Sequence, residues 1–375
     1  MTSKVAVIIP TFNRGHLIAE TISSLLSQTR RPDVIQVFDD GSTDNTVQVL
    51  SEFGSEIEVV SKENEGKAAT LNRALRTISA DYIWICDDDD ILEPEACRLL
   101  SAQLDETTEL MFAAGRHMDF VLAADGVQKQ IRQPGYWRPS CPDEIFPDLL
   151  EGCHIFQPGL MVRKDAYDEI GPFNEGLVRS QDYEMILRLA RRFPGVVLSD
   201  LVFLHREHDG QRGSANAQFS ASQNSEKWAR YNRVFFEPLL DQLDDDQFFS
   251  AETWEDMPEP TRARCVLLKK ACVSARQRIW DRAVEYWRAA AAASEQDLTD
   301  LEKELIGRSL NSSLGADELL TQRALREDIK AIGKLSATGA SIVSLLKRNS
   351  RWMVKQTVKD GRFTEALGAV RFQLP

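Results

Sequence analysis

Nothing in this 375-residue chain approaches the roughly 18 consecutive apolar residues that a membrane-spanning helix needs. The apolar stretch VAVIIP at residues 5–10 is too short for the hydrophobic region of a secretory signal peptide. C-x-x-C spacing is missing too. The six cysteines (Cys86, Cys97, Cys141, Cys153, Cys265 and Cys272) are scattered, and a chain of this size needs no disulfide staples. Reduced thiols and a cytoplasmic location are the expectation. A basic surplus is also absent: the net charge of −13 argues against a general nucleic-acid binder, which would present a basic face.

What is present is the composition of an ordinary globular protein, 43% hydrophobic and 27% charged, long enough for one domain and a smaller appendage. The charge is unevenly spread. From Lys330 onward nine Lys or Arg face two acids, a local +7 that leaves −20 on the rest of the chain. The tail is suited to meet something anionic.

The first 120 residues alternate short apolar runs with helical periodicity, the pattern of βα units feeding a largely parallel sheet. Strands are expected at residues 5–9, 34–38, 57–60 and 82–86. Between them lie amphipathic helices marked by Ile18, Ile22, Leu25 and Leu26, by Val47, Leu50 and Phe53, and by Ala68, Leu71, Leu75 and Ile78. A hairpin is expected around Ala124-Asp125-Gly126 and a Pro- and Trp-bearing loop over 133–147. An apolar segment over 156–162 and a helix over 182–192 follow. Past Gly213 the pattern turns to long helices. We place a boundary near 215, with an α/β domain over 1–215 and a helical region over 216–375.

Ligands of open α/β sheets bind beyond the carboxyl ends of the strands. Three polar clusters occupy such ends: Thr11-Phe12-Asn13-Arg14, Asp39-Asp40, and Asp87-Asp88-Asp89-Asp90. Adjacent carboxylates ~4 Å apart repel by roughly 1 kcal/mol in water and about 4 kcal/mol at an effective dielectric of 20. A divalent cation removes that penalty, and hard oxygen ligands select Mg2+ or Mn2+. The plain alternative is a solvated turn capping the helix that begins near Pro94.

Taken together, VAVIIPTFNR at 5–14, DDGSTD at 39–44, Asn64-Glu65-Gly66 with Asn72, and the aspartate run followed by ILEP resemble the N-terminal half of family 2 glycosyltransferases. The resemblance covers roughly residues 4–214. It implies a GT-A, Rossmann-like α/β fold with a mostly parallel sheet flanked by helices, followed here by an α-helical C-terminal subdomain. It also implies transfer of a sugar from a nucleoside diphosphate, UDP-sugar first, to an acceptor hydroxyl. By the same resemblance Asp40 contacts the nucleobase and Thr11 lines its pocket. Asn13, Arg14, Lys67, Asp87, Asp88 and Arg206 belong to the nucleotide-sugar site, with Asp89 and His208 on a Mn2+ or Mg2+ ion. Asp39 keeps a structural reading, holding the Gly41 turn.

An acceptor hydroxyl needs a carboxylate to take its proton. SQDYEMILRL at 180–189 resembles the family's E-D-Y-D-L-W-L-R-L pattern and assigns that base to Asp182, with Gln181 in place of the usual glutamate. Without the resemblance, Asp182 reads as a first-turn acid favoured by the helix dipole. The implied reaction is a single displacement with inversion. Two alternatives stand beside it: an inactive sugar-nucleotide-binding or scaffold protein, and a nucleotidyltransferase, disfavoured because residues 11–15 carry a single glycine.

The acceptor could be a glycan, a lipid-linked sugar or a protein, and bacterial surface-polysaccharide synthesis is the expected setting. In the helical region two helices are expected to join near 278–281, and residues 280–289 and 360–367 resemble tetratricopeptide helices. A homodimer through this region is one expectation. Peripheral contact with the inner membrane through the basic tail is another, because residues 342–358 mix apolar and basic side chains in the manner of an interfacial helix. A buried helix with a basic outer face is the competing reading of that segment.

Overall fold

Val5–Thr11 forms β1, and all seven of its residues are buried, as a strand covered on both faces requires. In the computed structural model, which describes residues 3–122, 129–134, 142–207 and 224–374, β1 lies between two parallel neighbours. These are β2 (Val34–Asp39) and β4 (Tyr82–Ile85), with β3 (Glu58–Ser61) parallel outside β2. The remaining strands are β5 (Ile91–Leu92), β6 (Phe112–Leu122), β7 (Lys129–Pro134), β8 (Leu160–Arg163) and β9 (Gly195–Arg206). They extend the sheet in the order β3-β2-β1-β4-β8-β6-β9-β5, with β7 paired to β6.

Direction matters for the site. β8 is antiparallel to both β4 and β6, and β9 is parallel to β6. Two reversals restore the original sense, so β6 and β9 run with β1 to β4 and all six carboxyl ends face one edge. The β6–β9 pair is brought close by Gly195, where a Cβ would meet the Phe112 ring at 2.1 Å.

Helices of this unit are α1 (Ile18–Leu26), α2 (Thr46–Ser51), α3 (Lys67–Thr77), α4 (Ala96–Glu106), α5 (Ile145–Glu151), α6 (Lys164–Ile170) and α7 (Gln181–Arg192). Their apolar stripes match the expected spacing: Ile18, Ile22 and Leu25 on α1, and Ala68, Leu71 and Leu75 on α3, are buried. The stripe expected on α2 is different. Leu50 is buried and Phe53, in the turn after Ser51, still packs against the same core, but Val49 takes the inward place and Val47 is 46% exposed. The turn expected at 124–126 and most of the loop expected over 133–147 fall outside the described residues.

By contact the chain divides into two units, Met1–Leu149 with Cys153–Asn224, and Leu150–Gly152 with Ser225–Pro375. The second is helical, from Asn224–Gln242 to Phe363–Gln373, and its central pair, Glu259–Arg276 and Trp280–Ala293, is joined at 277–279 with Arg278 at φ +60°. Its interior is unusually polar. Arg264 and Glu302 are both fully buried and paired, and Arg264 also donates to the carbonyls of Ser294, Gln296 and Asp297. Glu151 is paired with Lys269 and Arg308 at 2.5 and 2.8 Å. Removing one member of such a pair is costly because the other charge remains buried.

By its burial, segment 342–358 agrees with the reading of a buried helix with a basic outer face. It divides between Ala337–Asn349 and Arg351–Lys359, and Ile342, Val343, Leu346 and Met353 are packed inside, leaving Trp352 and Val358 outside. No helix among the described residues is long and apolar enough to cross a membrane.

Candidate active site

Three strand ends converge on one edge, and each turn that leaves them is held by side chains. After β2, Asp39 accepts a hydrogen bond from the Ser42 backbone at 3.1 Å, which holds the turn around Gly41. Gly41 itself stands at φ +81°, where a side chain would be strained. Asn13, also left-handed at φ +54°, reaches across from the end of β1. Its Oδ1 accepts from the Thr43 and Asp44 backbones at 2.7 and 3.3 Å, and its own N–H donates to Ser42. Asn13 therefore clamps the two turns together.

Asp40 is 5% exposed and carries a dense set of bonds. Its Oδ1 pairs with the Lys62 ammonium and accepts from the Glu65 N–H at 2.9 Å, while Oδ2 accepts from Gly66 N–H at 2.8 Å. The Asn64 amide donates to its carbonyl at 2.8 Å. The loop between β3 and α3 is thus folded around this carboxylate. Asn72 braces the next element: its amide donates to Phe173 O and accepts from Phe173 N, at 3.0 and 2.7 Å.

The acidic turn leaves β4. Asp87, Asp88 and Asp89 are half-buried and Asp90 is 1% exposed. Asp90 is a structural member, accepting from the Arg206 backbone at 2.9 Å, and burial pushes its carboxyl far up. Burial and then the charge of Asp89 raise the Asp88 carboxyl to about 7, against the opposing pull of Arg14, 3.6 Å away, and the Thr11 hydroxyl.

Lys67 enters from the first turn of α3. Its ammonium donates to Asp87 at 2.5 Å, the two side chains being 29 and 30% exposed. Burial works against the charged form, but Asp87, then Asp182 and Asp88, hold the Lys67 proton more tightly than in an ordinary lysine. Asp182, far away in sequence, is thus close enough for its charge to act on Lys67. It lies half-exposed in the first turn of α7, after Ser180 at φ +59°, and accepts from the Tyr183 N–H at 2.9 Å. Cys153 is its neighbour, its thiol pushed far up by burial and further by the Asp182 charge.

Arg206 sits at the foot of this centre rather than facing it. Only 2% exposed, it donates through Nε to the Asp89 carbonyl at 2.8 Å, pairs with Glu20 of α1, and stacks 4.7 Å from the Phe120 ring centroid. It fixes the acidic turn against β9. His208 lies outside the described residues. Among the described residues no three His, Cys, Asp or Glu side chains are gathered into a closed metal site.

Sequence reasoning passed over Lys62, Glu20 and Cys153. Lys62 follows β3, so the strand-end rule that marked its neighbours could have found it. Glu20 and Cys153 carry no local signal; their partners are distant in the chain.

A mostly parallel sheet of this order, with an acidic turn beyond its fourth strand, has the GT-A architecture. Residues 6–171 match the model of glycosyl transferase family 2. The nucleotidyltransferase alternative gives way to this match. The chain is 25% identical over 266 residues to an uncharacterised glycosyltransferase of Rickettsia conorii, covering 66% of this chain and 40% of that one. To the chondroitin synthase of Escherichia coli it is 28% identical over 195 residues, 51% of this chain and 27% of the synthase. It thus spans less than half the length of these relatives.

Solved structures share the fold. S. aureus TarS 1–349 in complex with UDP superposes with a TM-score of 0.50 at 17% identity, covering 85% of this chain and 91% of that one. The mannosyltransferase PcManGT of Pyrobaculum calidifontis, in complex with GDP-Man and Mn2+, gives 0.50 at 17% identity, covering 93% and 87%.

Proposed function

We propose that the protein is an inverting glycosyltransferase that moves a sugar from a nucleoside diphosphate, UDP-sugar in first place, to an acceptor hydroxyl in bacterial polysaccharide or glycoconjugate synthesis. The observation that carries this reading is the meeting of Asp87, Asp88, Lys67 and Asp182 at the carboxyl edge of the sheet. Support for the donor class comes from the UDP complex of TarS and the GDP-Man complex of PcManGT. A polysaccharide product agrees with the synthase among the relatives.

Mn2+ or Mg2+ fits the acidic turn, where burial and the neighbouring Asp89 charge hold up the Asp88 carboxyl and a cation would relieve both. Such ions are commonly held by one or two carboxylates plus substrate phosphates. Asp89 would hold the ion, with His208 as a further ligand. Bound there, it would offset the charge that grows on the departing diphosphate. Asp182 takes the proton of the acceptor hydroxyl. Lys67, tied to Asp87, supplies a positive charge between the acidic turn and the base, next to the diphosphate. Thr11 and Arg14 flank Asp88 on the nucleotide side. Asp40, Asn13 and Arg206 shape the site by holding its turns, and Asp40 retains one oxygen with capacity for a nucleobase N–H.

A thermal-shift series with UDP, GDP, dTDP and CMP, each with and without Mn2+, tests the reading. A nucleotide at a hundred times its dissociation constant stabilises by about 2.7 kcal/mol. We expect a Mn2+-dependent shift with UDP. No shift with any nucleotide would favour an inactive scaffold of the same fold.

A further inference from the structure

The last helix of the second unit, Phe363–Gln373, turns its large apolar residues the wrong way for a core helix. Its packed face is small: Ala366 and Ala369 are 7% and 3% exposed, and a Cβ on Gly368 would lie 1.8 Å from the Leu320 carbonyl oxygen. Phe372 is the single large apolar residue that it buries. Phe363, Leu367, Val370 and, just past the helix, Leu374 are 68, 57, 40 and 54% exposed. Their i, i+4, i+7, i+11 spacing sets them in one line along the helix. Single exposed apolar residues are ordinary, whereas a continuous ridge marks an interaction surface. The preceding helix, Arg351–Lys359, exposes Trp352 and Val358 as well.

Charge decides what covers the ridge. Nine basic residues and two acids occupy the chain from Lys330 onward. The ammonium groups of Lys330 and Lys347 bond the carbonyls of Arg371 and Leu374 at 3.0 and 2.8 Å, so two cations stand at the carboxyl end of the ridge. Arg348, Arg351, Lys355, Lys359 and Arg371 are exposed. A second copy would set two such +7 segments against each other. A single helix also offers a ridge rather than a groove. Apolar side chains in a line, with cations at their carboxyl end and further exposed cations on the preceding helix, suit the headgroup and acyl boundary of an anionic bilayer.

We propose that the helix Phe363–Gln373 docks this protein on an anionic lipid surface, with Phe363, Leu367, Val370 and Leu374 inserted and the surrounding Lys and Arg among the headgroups. The surface is built from the second unit's own residues and does not depend on the chemistry of the acidic turn.

Co-sedimentation of the full chain with vesicles tests this, using phosphatidylglycerol with phosphatidylethanolamine against phosphatidylcholine alone. Two variants at exposed positions accompany it, Leu367→Glu with Val370→Glu, and Lys355→Glu with Lys359→Glu, each checked for an unchanged melting curve. The parent pellets with phosphatidylglycerol vesicles only. Each basic residue near an anionic leaflet strengthens binding about fivefold, so both variants lose at least about tenfold. Equal pelleting of all three proteins would overturn the proposal, as would no pelleting of the parent. Light scattering gives the third refutation: a dimeric parent whose ridge variant is monomeric would mean that a second copy covers this face.

Discussion

Replacing Asp40 by Asn separates two roles for that residue. Its carboxylate is buried with the Lys62 ammonium, whose side chain is 3% exposed, and takes two backbone N–H bonds. The amide keeps the size but removes the charge, and its NH2 group faces donors. Breaking a buried pair from one side costs about 3–5 kcal/mol. Lys62 keeps Glu65 at 3.1 Å and the Glu63 carbonyl at 3.0 Å, so the lower end, about 3 kcal/mol, is expected. For a unit of this size that lowers the melting temperature by roughly 6–12 °C. Calorimetry on the parent, Asp40→Asn, Lys62→Met and the double variant is the assay. The double variant should recover part of the loss, because neither charge is then stranded. A melting temperature unchanged in Asp40→Asn, with UDP binding lost, would refute the reasoning and leave Asp40 as a nucleobase contact alone.

Two further predictions concern the second unit. Burial opposes ionisation of Glu151, but Lys269 and Arg308 outweigh it and bring the carboxyl down to about 2 from an ordinary 4.5. A lowered carboxylate contributes its full stability above pH ~4.5 and loses it as the pH falls towards ~2, about 3 kcal/mol in all. Glu151→Gln should melt lower at pH 7 and lack this acid-side slope; an identical slope in parent and variant would count against the pair. Gly368→Ala places a methyl against the Leu320 carbonyl and should cost about 1–3 kcal/mol, seen as faster proteolysis of the last helix. Unchanged protection would mean that the helix does not sit this close.

Much of the sheet was legible because its signals are local. The runs at β1, β2 and β4, and the stripes of α1 and α3, need only neighbouring residues to be read. The strand-end rule then put Thr11, Asp40 and Asp87 to Asp89 on one edge without further help. Asp182 was different. Its own sequence marks a first-turn acid, and only the family resemblance tied it to the site; in the structure its charge acts on Lys67.

What escaped is non-local. The order β8-β6-β9 depends on pairings between distant strands, and no periodicity records them. Arg206 was read as a nucleotide contact, yet its partners Glu20, Asp89 and Phe120 all come from other elements. Glu151 belongs with the second unit because its cationic partners do, although it sits within the stretch read as the first domain. In the tail, composition alone could not tell the buried apolar residues Ile342 and Leu346 from the exposed ridge at Phe363 and Leu367.

The most direct measurement is the release of UDP from UDP-sugars, alongside calorimetric UDP binding in Mn2+, for the parent, Asp182→Asn and Asp89→Asn. The account predicts that Asp182→Asn binds UDP as the parent does while turnover falls by about 10²–10⁴, the usual contribution of a general base. Asp89→Asn should lose the Mn2+-dependent part of UDP binding. Parent-like turnover in Asp182→Asn, or UDP binding indifferent to Mn2+ and to Asp89, would contradict the account.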